Sequence, residues 1–139
     1  MNIYLDIDGV LLINEKHAAP HADEFIQAII QKYPDSTFWL TTHNWQGENR
    51  AVDVLTPVLK PETIALLQKI KSSEWNELKT DAIDFNDDFL WFDDDLWPDE
   101  LEVLEKNEST EQFIMVDLNK DPEMLNKLTD VIRFSDNNR

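Results

Sequence analysis

Cysteine is absent from the 139-residue sequence, and glycine occurs only twice. The first absence excludes disulfides, thiol nucleophiles and cysteine-based zinc sites, and the second excludes a glycine-rich phosphate-binding loop. No apolar run approaches the roughly 20 residues that a membrane-spanning helix needs. The first apolar run follows no basic segment and carries two aspartates, so we expect no signal peptide. These absences predict a cytoplasmic protein that has no membrane association.

Basic residues are scarce as well. Twelve lysines and arginines stand against 29 acidic residues, and the formal net charge is −17. This charge repels polyanions and disfavours a long nucleic acid as partner, although a metal-bridged contact with one phosphate group is compatible with it. A hydrophobic content of 42% indicates a folded globular protein. The length suits one domain over residues 1–139.

Apolar residues follow two different periods in alternating segments. Short apolar runs predict strands over residues 2–7, 37–41, 89–92 and 112–116. A helical period predicts helices over residues 23–33, 48–56, 99–106 and 122–132. Residues 63–70 fit either a strand or a helix, and Thr80 is expected to cap a short helix. Strands that alternate with helices predict an α/β fold with a mainly parallel central sheet.

Polar residues follow three of the predicted strands. They are Asp6 and Asp8 after the first, Thr41 and Thr42 after the second, and Asp93 and Asp94 after a later one. Because the carboxyl ends of parallel strands meet at one edge of a sheet, we expect these groups to converge there. Lys79, at the start of a predicted helix, is the cation expected to join them. The set suits phosphoryl chemistry, with carboxylates for Mg²⁺ and for attack, a hydroxyl for a phosphate oxygen, and an ammonium group against developing charge.

The order of these motifs resembles that of the haloacid dehalogenase (HAD) superfamily phosphatases. The matching segments are Leu5-Asp6-Ile7-Asp8-Gly9-Val10, Leu40-Thr41, Lys79 and Trp91-Phe92-Asp93-Asp94. The resemblance spans most of the chain and implies a three-layer, Rossmann-like fold. The short intervals between the motifs leave no room for a cap domain, which implies an open site. Residues 39–42, 75–83 and 91–96 are more narrowly similar to small HAD domains associated with nucleic-acid repair proteins.

The resemblance implies a Mg²⁺-dependent phosphatase that works through an aspartyl phosphate. Asp6 would be the nucleophile, and Asp8 would act as general acid and then as general base. Thr41 would hold a phosphate oxygen, and Lys79 would neutralise the nucleophile and the phosphoryl group. The second aspartate of the first motif, Asp8, accompanies phosphate transfer in this superfamily, so a dehalogenase is not expected.

The resemblance also implies where metal and substrate bind. The implied magnesium ligands are Asp6, Asp8 (through its backbone carbonyl), Asp93 and Asp94. The candidates for substrate contact are Gly9, Thr42 and His43, with the loop residues His17, His21, Asn44 and Trp45. The expected substrate is phosphorylated, and the net charge favours a small phosphomonoester.

Several alternatives stay open at this stage. Two solvated acids at a strand end would explain Asp6 and Asp8 without any site, and Lys69 and Lys71 compete with Lys79 as the cation. Thr42 competes with Thr41, and either member of the later acidic pair could be the primary ligand. The alternative functions are a phosphoacceptor domain of the receiver type, which the motif order disfavours, and a non-catalytic HAD-like binding module. The oligomeric state is open.

Overall fold

Five parallel strands form the central sheet of the computed structural model, which describes residues 1–134. They are β1 (Asn2–Leu5), β4 (Thr37–Trp39), β5 (Lys71–Ser72), β6 (Phe89–Asp93) and β7 (Phe113–Met115), and the remaining strands β2 (Leu12–Asn14) and β3 (His17–Ala18) pair as an antiparallel hairpin. The spatial order is β5-β4-β1-β6-β7, which places the first strand in the middle of the sheet. The predicted α/β fold with a parallel central sheet is confirmed.

Helices and shorter 3₁₀ turns link the strands. The helices are α1 (Ala22–Lys32), α2 (Ala51–Leu55), α3 (Pro61–Ile64), α4 (Pro98–Lys106) and α5 (Met124–Phe134). The 3₁₀ turns are Thr42–Asn44, Leu67–Lys69, Lys79–Ala82 and Thr110–Gln112. Among the helices of residues 1–134, none combines the length and the apolar character needed to cross a bilayer.

Both faces of the sheet are covered. Side chains alternate along each strand, so successive residues belong to different apolar clusters. On one face, Ile3 and Leu5 of β1 belong to a buried cluster that includes the apolar sides of α1 and α5. On the other face, Tyr4 lies in a second cluster with Trp91 of β6 and Leu104 of α4. The strands are therefore packed on both faces, and this packing fixes the positions of the residues at their ends.

The main departures from the predicted elements lie between residues 48 and 83. The helix expected over 48–56 is reduced to α2, and the segment 63–70 is neither a strand nor one continuous helix. It contains the end of α3 and a 3₁₀ turn, and the strand β5 follows it. Its shape depends on distant contacts, since Asp23 of α1 accepts hydrogen bonds from Lys60 N at 2.9 Å and Thr63 Oγ1 at 2.6 Å. Local periodicity carries no information about such contacts.

The expected helix cap at Thr80 is wrong. The N-cap position is two residues earlier, at Leu78, and the 3₁₀ turn begins at Lys79. Asp81 accepts hydrogen bonds from the backbone nitrogens of Glu77 and Leu78. Thr80 is buried, and within residues 1–134 its hydroxyl is the one buried side-chain oxygen or nitrogen without a hydrogen-bond partner. The Asp81 carboxylate bonds to the backbone nitrogens at the start of the turn, whereas the Thr80 hydroxyl bonds to none of them.

Candidate active site

The candidate site lies where the strand order changes direction. Strand β1 pairs with β4 along one of its edges and with β6 along the other, and the order of the strands reverses at this point. Ligands of open α/β sheets bind at such switch points, beyond the carboxyl ends of the strands. Asp6 follows β1, and its backbone nitrogen donates to Phe92 O of β6 at 3.1 Å. Asp93 is the last residue of β6, so the two carboxylates emerge side by side.

Three carboxylates come together at this edge. One oxygen from each of Asp6, Asp93 and Asp94 lies within 4.8 Å of the others. The first two side chains are buried and the third is exposed, so the cluster opens to solvent on one side. Carboxylate oxygens are the ligands that Mg²⁺ prefers, and the remaining positions of its octahedron are normally filled by water and by substrate phosphates. The donor set therefore fits a magnesium ion.

Lys79, the first residue of the 3₁₀ turn Lys79–Ala82, joins the same cluster. Its Nζ lies 2.8 Å from Asp93 Oδ2 and 3.5 Å from Asp6 Oδ2. Its backbone nitrogen donates to Glu100 Oε2 at 3.0 Å, while Glu100 Oε1 accepts from Trp97 N at 3.0 Å. The buried Glu100 of α4 thus fixes the loop that carries the lysine. Burial disfavours the charged ammonium group, but Asp6 and Asp93 outweigh it and raise the pKa of Lys79.

Two acids of the cluster, Asp6 and Asp94, hold protons more tightly than ordinary carboxylates. Burial, followed by the charge of Asp93, raises the pKa of Asp6 well above its usual range, although Lys79 acts in the opposite direction. Burial and then the hydrogen bond and charge of Asp93 raise the pKa of Asp94 to about 6. Close like charges need a cation or a proton between them. A divalent ion at this position would offset the repulsion between the carboxylates and favour their ionised forms.

Asp93 is oriented by its own neighbours. Its Oδ2 accepts from Trp91 Nε1 at 3.2 Å as well as from Lys79, and its Oδ1 accepts from Asp95 N at 3.2 Å. Each carboxylate oxygen therefore has at least one partner inside the protein. Such support fixes the direction of a ligand oxygen before any ion arrives.

Gly9 makes room for Asp94. A Cβ added at Gly9 would collide with the Asp94 carboxylate, lying 2.5 Å from its Cγ and 2.7 Å from its Cβ. The residue also has a φ of 77°, which side-chain-bearing residues rarely adopt. Glycine is therefore required at this position for two separate reasons. It was predicted as a substrate contact, and its visible role is to let Asp94 approach the first loop.

Asp8 is not part of the three-carboxylate cluster. Its carboxylate is 63% exposed, and its Oδ2 lies 2.9 Å from His43 Nε2. Asp8 and His43, both predicted as site residues, are therefore partners of one another. The metal contact predicted for Asp8 was through its backbone carbonyl, and it stays a prediction.

The two threonines after β4 have different surroundings. Thr41 is fully buried, and its hydroxyl accepts a long hydrogen bond of 3.4 Å from His43 N. Thr42 is exposed and lines the cavity in front of the acids. Of the two alternatives for a phosphate contact, Thr42 is the one that already faces that space.

The cavity itself has a volume of about 250 Å³ and is lined by the acids Asp6, Asp93 and Asp94 and by Lys79. The other residues that line the cavity, which together are called its outer wall, are Thr42, Trp45, Trp75, Glu77, Asp95, Trp97 and Glu100. Most of these wall residues were not among the predicted site residues, because a tryptophan or an exposed acid has no motif around it. The run of acids after β6 and the unusual number of tryptophans were the available signals.

The loop candidates His17 and His21 do not line the cavity. His17 contacts Asn14 in the β2–β3 hairpin, and His21 Nε2 lies 3.1 Å from Glu123 Oε1 at the start of α5. Asn44 is buried and structural, because its Oδ1 accepts from the backbone nitrogens of Arg50 and Ala51. Of the loop candidates beyond residue 43, Trp45 is the one that faces the cavity.

Comparisons of this chain with protein-family models, with curated proteins and with solved structures gave no significant match.

Proposed function

We propose that the protein is a Mg²⁺-dependent phosphohydrolase of the HAD type, with a three-layer fold and no cap domain. The observation that carries this proposal is the convergence of Asp6, Asp93, Asp94 and Lys79 at one edge of the sheet. These residues come from three separate parts of the sequence. An acidic surface alone would not explain why two of the acids are buried beside a lysine.

The first chemical step is attack by Asp6 on phosphorus. A carboxylate oxygen of Asp6 forms a bond to the phosphorus atom, and the bond from phosphorus to the alcohol oxygen breaks. Lys79, 3.5 Å from Asp6, stabilises the ionised nucleophile and the charge that develops on the phosphoryl oxygens. Thr42, which lines the cavity, would donate its hydroxyl to one of those oxygens.

Asp8 carries the protons. It donates one to the departing alcohol oxygen, and it then accepts one from the water that attacks the aspartyl phosphate. That second attack releases inorganic phosphate and regenerates the Asp6 carboxylate. Each such proton transfer contributes roughly 10²–10⁴-fold in rate. Because its side chain is largely exposed, Asp8 has room to turn from His43 towards the leaving oxygen.

The metal would be held by Asp6, Asp93 and Asp94. Bound there, Mg²⁺ would supply positive charge against the charge that develops on the phosphoryl group. The ion would also favour the ionised form of Asp6, whose pKa is otherwise raised by burial.

The decisive experiment is release of phosphate from a generic aryl phosphate, with Mg²⁺ or with EDTA. We expect Mg²⁺-dependent release from the wild type and none from Asp6→Asn. The matched control is Asp130→Asn, which changes an exposed aspartate on α5 and should keep full activity. Asp6→Asn should also keep the melting temperature, because it removes a carboxylate whose ionisation is already disfavoured by burial.

Two outcomes would contradict the proposal. Activity retained in Asp6→Asn would remove the aspartyl-phosphate mechanism. A stable phosphoprotein without release of phosphate would instead favour the phosphoacceptor function of the receiver type.

A further inference from the structure

The outer wall of the cavity has a composition that phosphoryl transfer does not require. Three tryptophans, Trp45, Trp75 and Trp97, line it together with Glu77 and Asp95. Within residues 1–134, Lys79 is the single basic residue that lines the cavity, and it is already paired with Asp93 and Asp6. The part of the cavity that would hold the alcohol of a phosphate ester is therefore aromatic and negative.

Two of the tryptophans form a fixed pair. The rings of Trp45 and Trp75 stack with centroids 5.7 Å apart and an angle of 14° between their planes. Trp45 Nε1 donates to Trp75 O at 2.9 Å, so its polar group is already satisfied. What this pair offers a ligand is aromatic surface and not a hydrogen-bond donor.

Trp97 stands apart from the stacked pair and is 56% exposed. Because Trp97 also lines the cavity, its exposed ring is available to a ligand that binds there. Its Nε1 donates to Asp95 Oδ2 at 3.2 Å, which fixes the ring beside a carboxylate. Aromatic rings with nearby carboxylates bind organic cations, because the face of a ring attracts positive charge. This attraction is stronger where the site excludes part of the water.

We propose that the substrate is a small phosphomonoester whose alcohol carries an ammonium group. This inference rests on the proposed phosphatase activity. The phosphate would lie against Asp6 and Lys79, and the ammonium group would lie against the tryptophans, near Glu77 and Asp95. Hydrolysis consumes water and yields inorganic phosphate and the free amino alcohol, with its ammonium group unchanged.

The size of the cavity agrees with such a substrate. Its volume of about 250 Å³ lies below the range of roughly 300–1,000 Å³ that holds drug-sized ligands. A nucleotide would also offer a ring for stacking on tryptophan. A nucleoside, however, brings no ammonium group to the carboxylates of Glu77 and Asp95.

Two substrates of equal shape and different charge test the inference. One is phosphocholine, and the other is 3,3-dimethylbutyl phosphate, in which carbon replaces the quaternary nitrogen. We expect kcat/KM for phosphocholine to be about tenfold higher, which corresponds to about 1.4 kcal/mol. A nucleoside monophosphate is the third substrate.

Variants connect the preference with the wall. Glu77→Gln removes one exposed charge at nearly constant shape, and Trp97→Leu removes one exposed aromatic ring. Each should reduce the ratio of the two kcat/KM values, whereas Glu105→Gln on the exposed side of α4 should leave it unchanged. Choline should also quench tryptophan fluorescence of the wild type in EDTA, where no turnover occurs.

The outcomes separate the two proposals. If the aryl phosphate is hydrolysed and the charged and neutral esters react equally, or the nucleotide reacts faster than both, the cation site is refuted and the phosphatase stands. If no phosphate ester is hydrolysed but choline binds and Glu77→Gln weakens that binding, the phosphatase is refuted and the cation site stands. If choline does not bind and the two esters also react equally, the binding measurement and the kinetic measurement both refute the cation site.

Discussion

Substitution of Gly9 by alanine should damage both the fold and the metal site, and the second glycine provides the control. Gly9 and Gly47 have similar positive φ angles, 77° and 85°. A side chain in this region costs about 1–2 kcal/mol. At Gly47 nothing lies within 4 Å of an added Cβ, so Gly47→Ala should cost this amount and no more.

Gly9→Ala carries a second cost, because the new Cβ overlaps the side chain of Asp94. The carboxylate can swing away towards solvent, but Asp94 Cβ, 2.7 Å from the added atom, moves only with its backbone. Forcing an extra methyl group into such a contact costs about 1–3 kcal/mol. We therefore expect Gly9→Ala to lower the free energy of unfolding by about 2–5 kcal/mol in total.

The assay is urea unfolding followed by tryptophan fluorescence, once in EDTA and once in Mg²⁺. At a concentration 100 times its Kd, an ion that binds the native state alone adds about 2.7 kcal/mol. The wild type and Gly47→Ala should both show this increment, and Gly9→Ala should lose most of it because a ligand has been displaced. Asp94→Gly in the Gly9→Ala background should recover part of the stability in EDTA. Equal losses for the two glycine variants, with equal Mg²⁺ increments, would refute the steric explanation.

Three further predictions concern buried groups and pH. Thr80→Val should raise the free energy of unfolding by about 1 kcal/mol in urea titrations, because it removes an unpartnered buried hydroxyl at constant shape; a loss of stability would show that the hydroxyl has a partner in solution. Trp91→Phe removes the donor to Asp93 Oδ2 and leaves a gap in the core, so it should cost about 2–4 kcal/mol in the same titrations. Because the pKa of Asp94 rises from 3.8 to about 6 on folding, the native state binds the extra proton, and this group's contribution to stability falls as pH increases from about 4 to 6. Asp94→Asn should flatten that part of the pH profile in EDTA, and Mg²⁺ affinity of the wild type, measured by calorimetry, should weaken as pH drops below about 6.

The sequence predicted the sheet well because its central strands are apolar. Short runs such as residues 2–5 and 89–92 are recognisable without any knowledge of their neighbours. The edge strand β5 consists of Lys71 and Ser72, two exposed polar residues, and no local pattern identifies it. The β2–β3 hairpin was missed for a similar reason, since its two strands have three and two residues.

The inner site was predictable and its outer wall was not. Asp6 and Asp93 stand directly at the ends of apolar strands, so the edge of the sheet brings them together. Trp75 and Glu77, in contrast, belong to a loop whose path depends on tertiary contacts, such as the bond from Trp45 Nε1 to Trp75 O. The role of Glu100 was equally hidden, because an acid in the first turn of a helix is normally explained by the helix dipole.

The central position of β1 has a consequence for how the chain is made. Its partner on one side, β4, begins at residue 37, and its partner on the other side, β6, begins only at residue 89. While the chain is being synthesised, one edge of β1 stays unpaired until β6 has been made. Such long-range pairing slows folding and exposes an apolar edge to other chains. Assembly of the carboxylate cluster is therefore a late event, since Asp6 is synthesised long before Asp93 and Asp94 are available to join it.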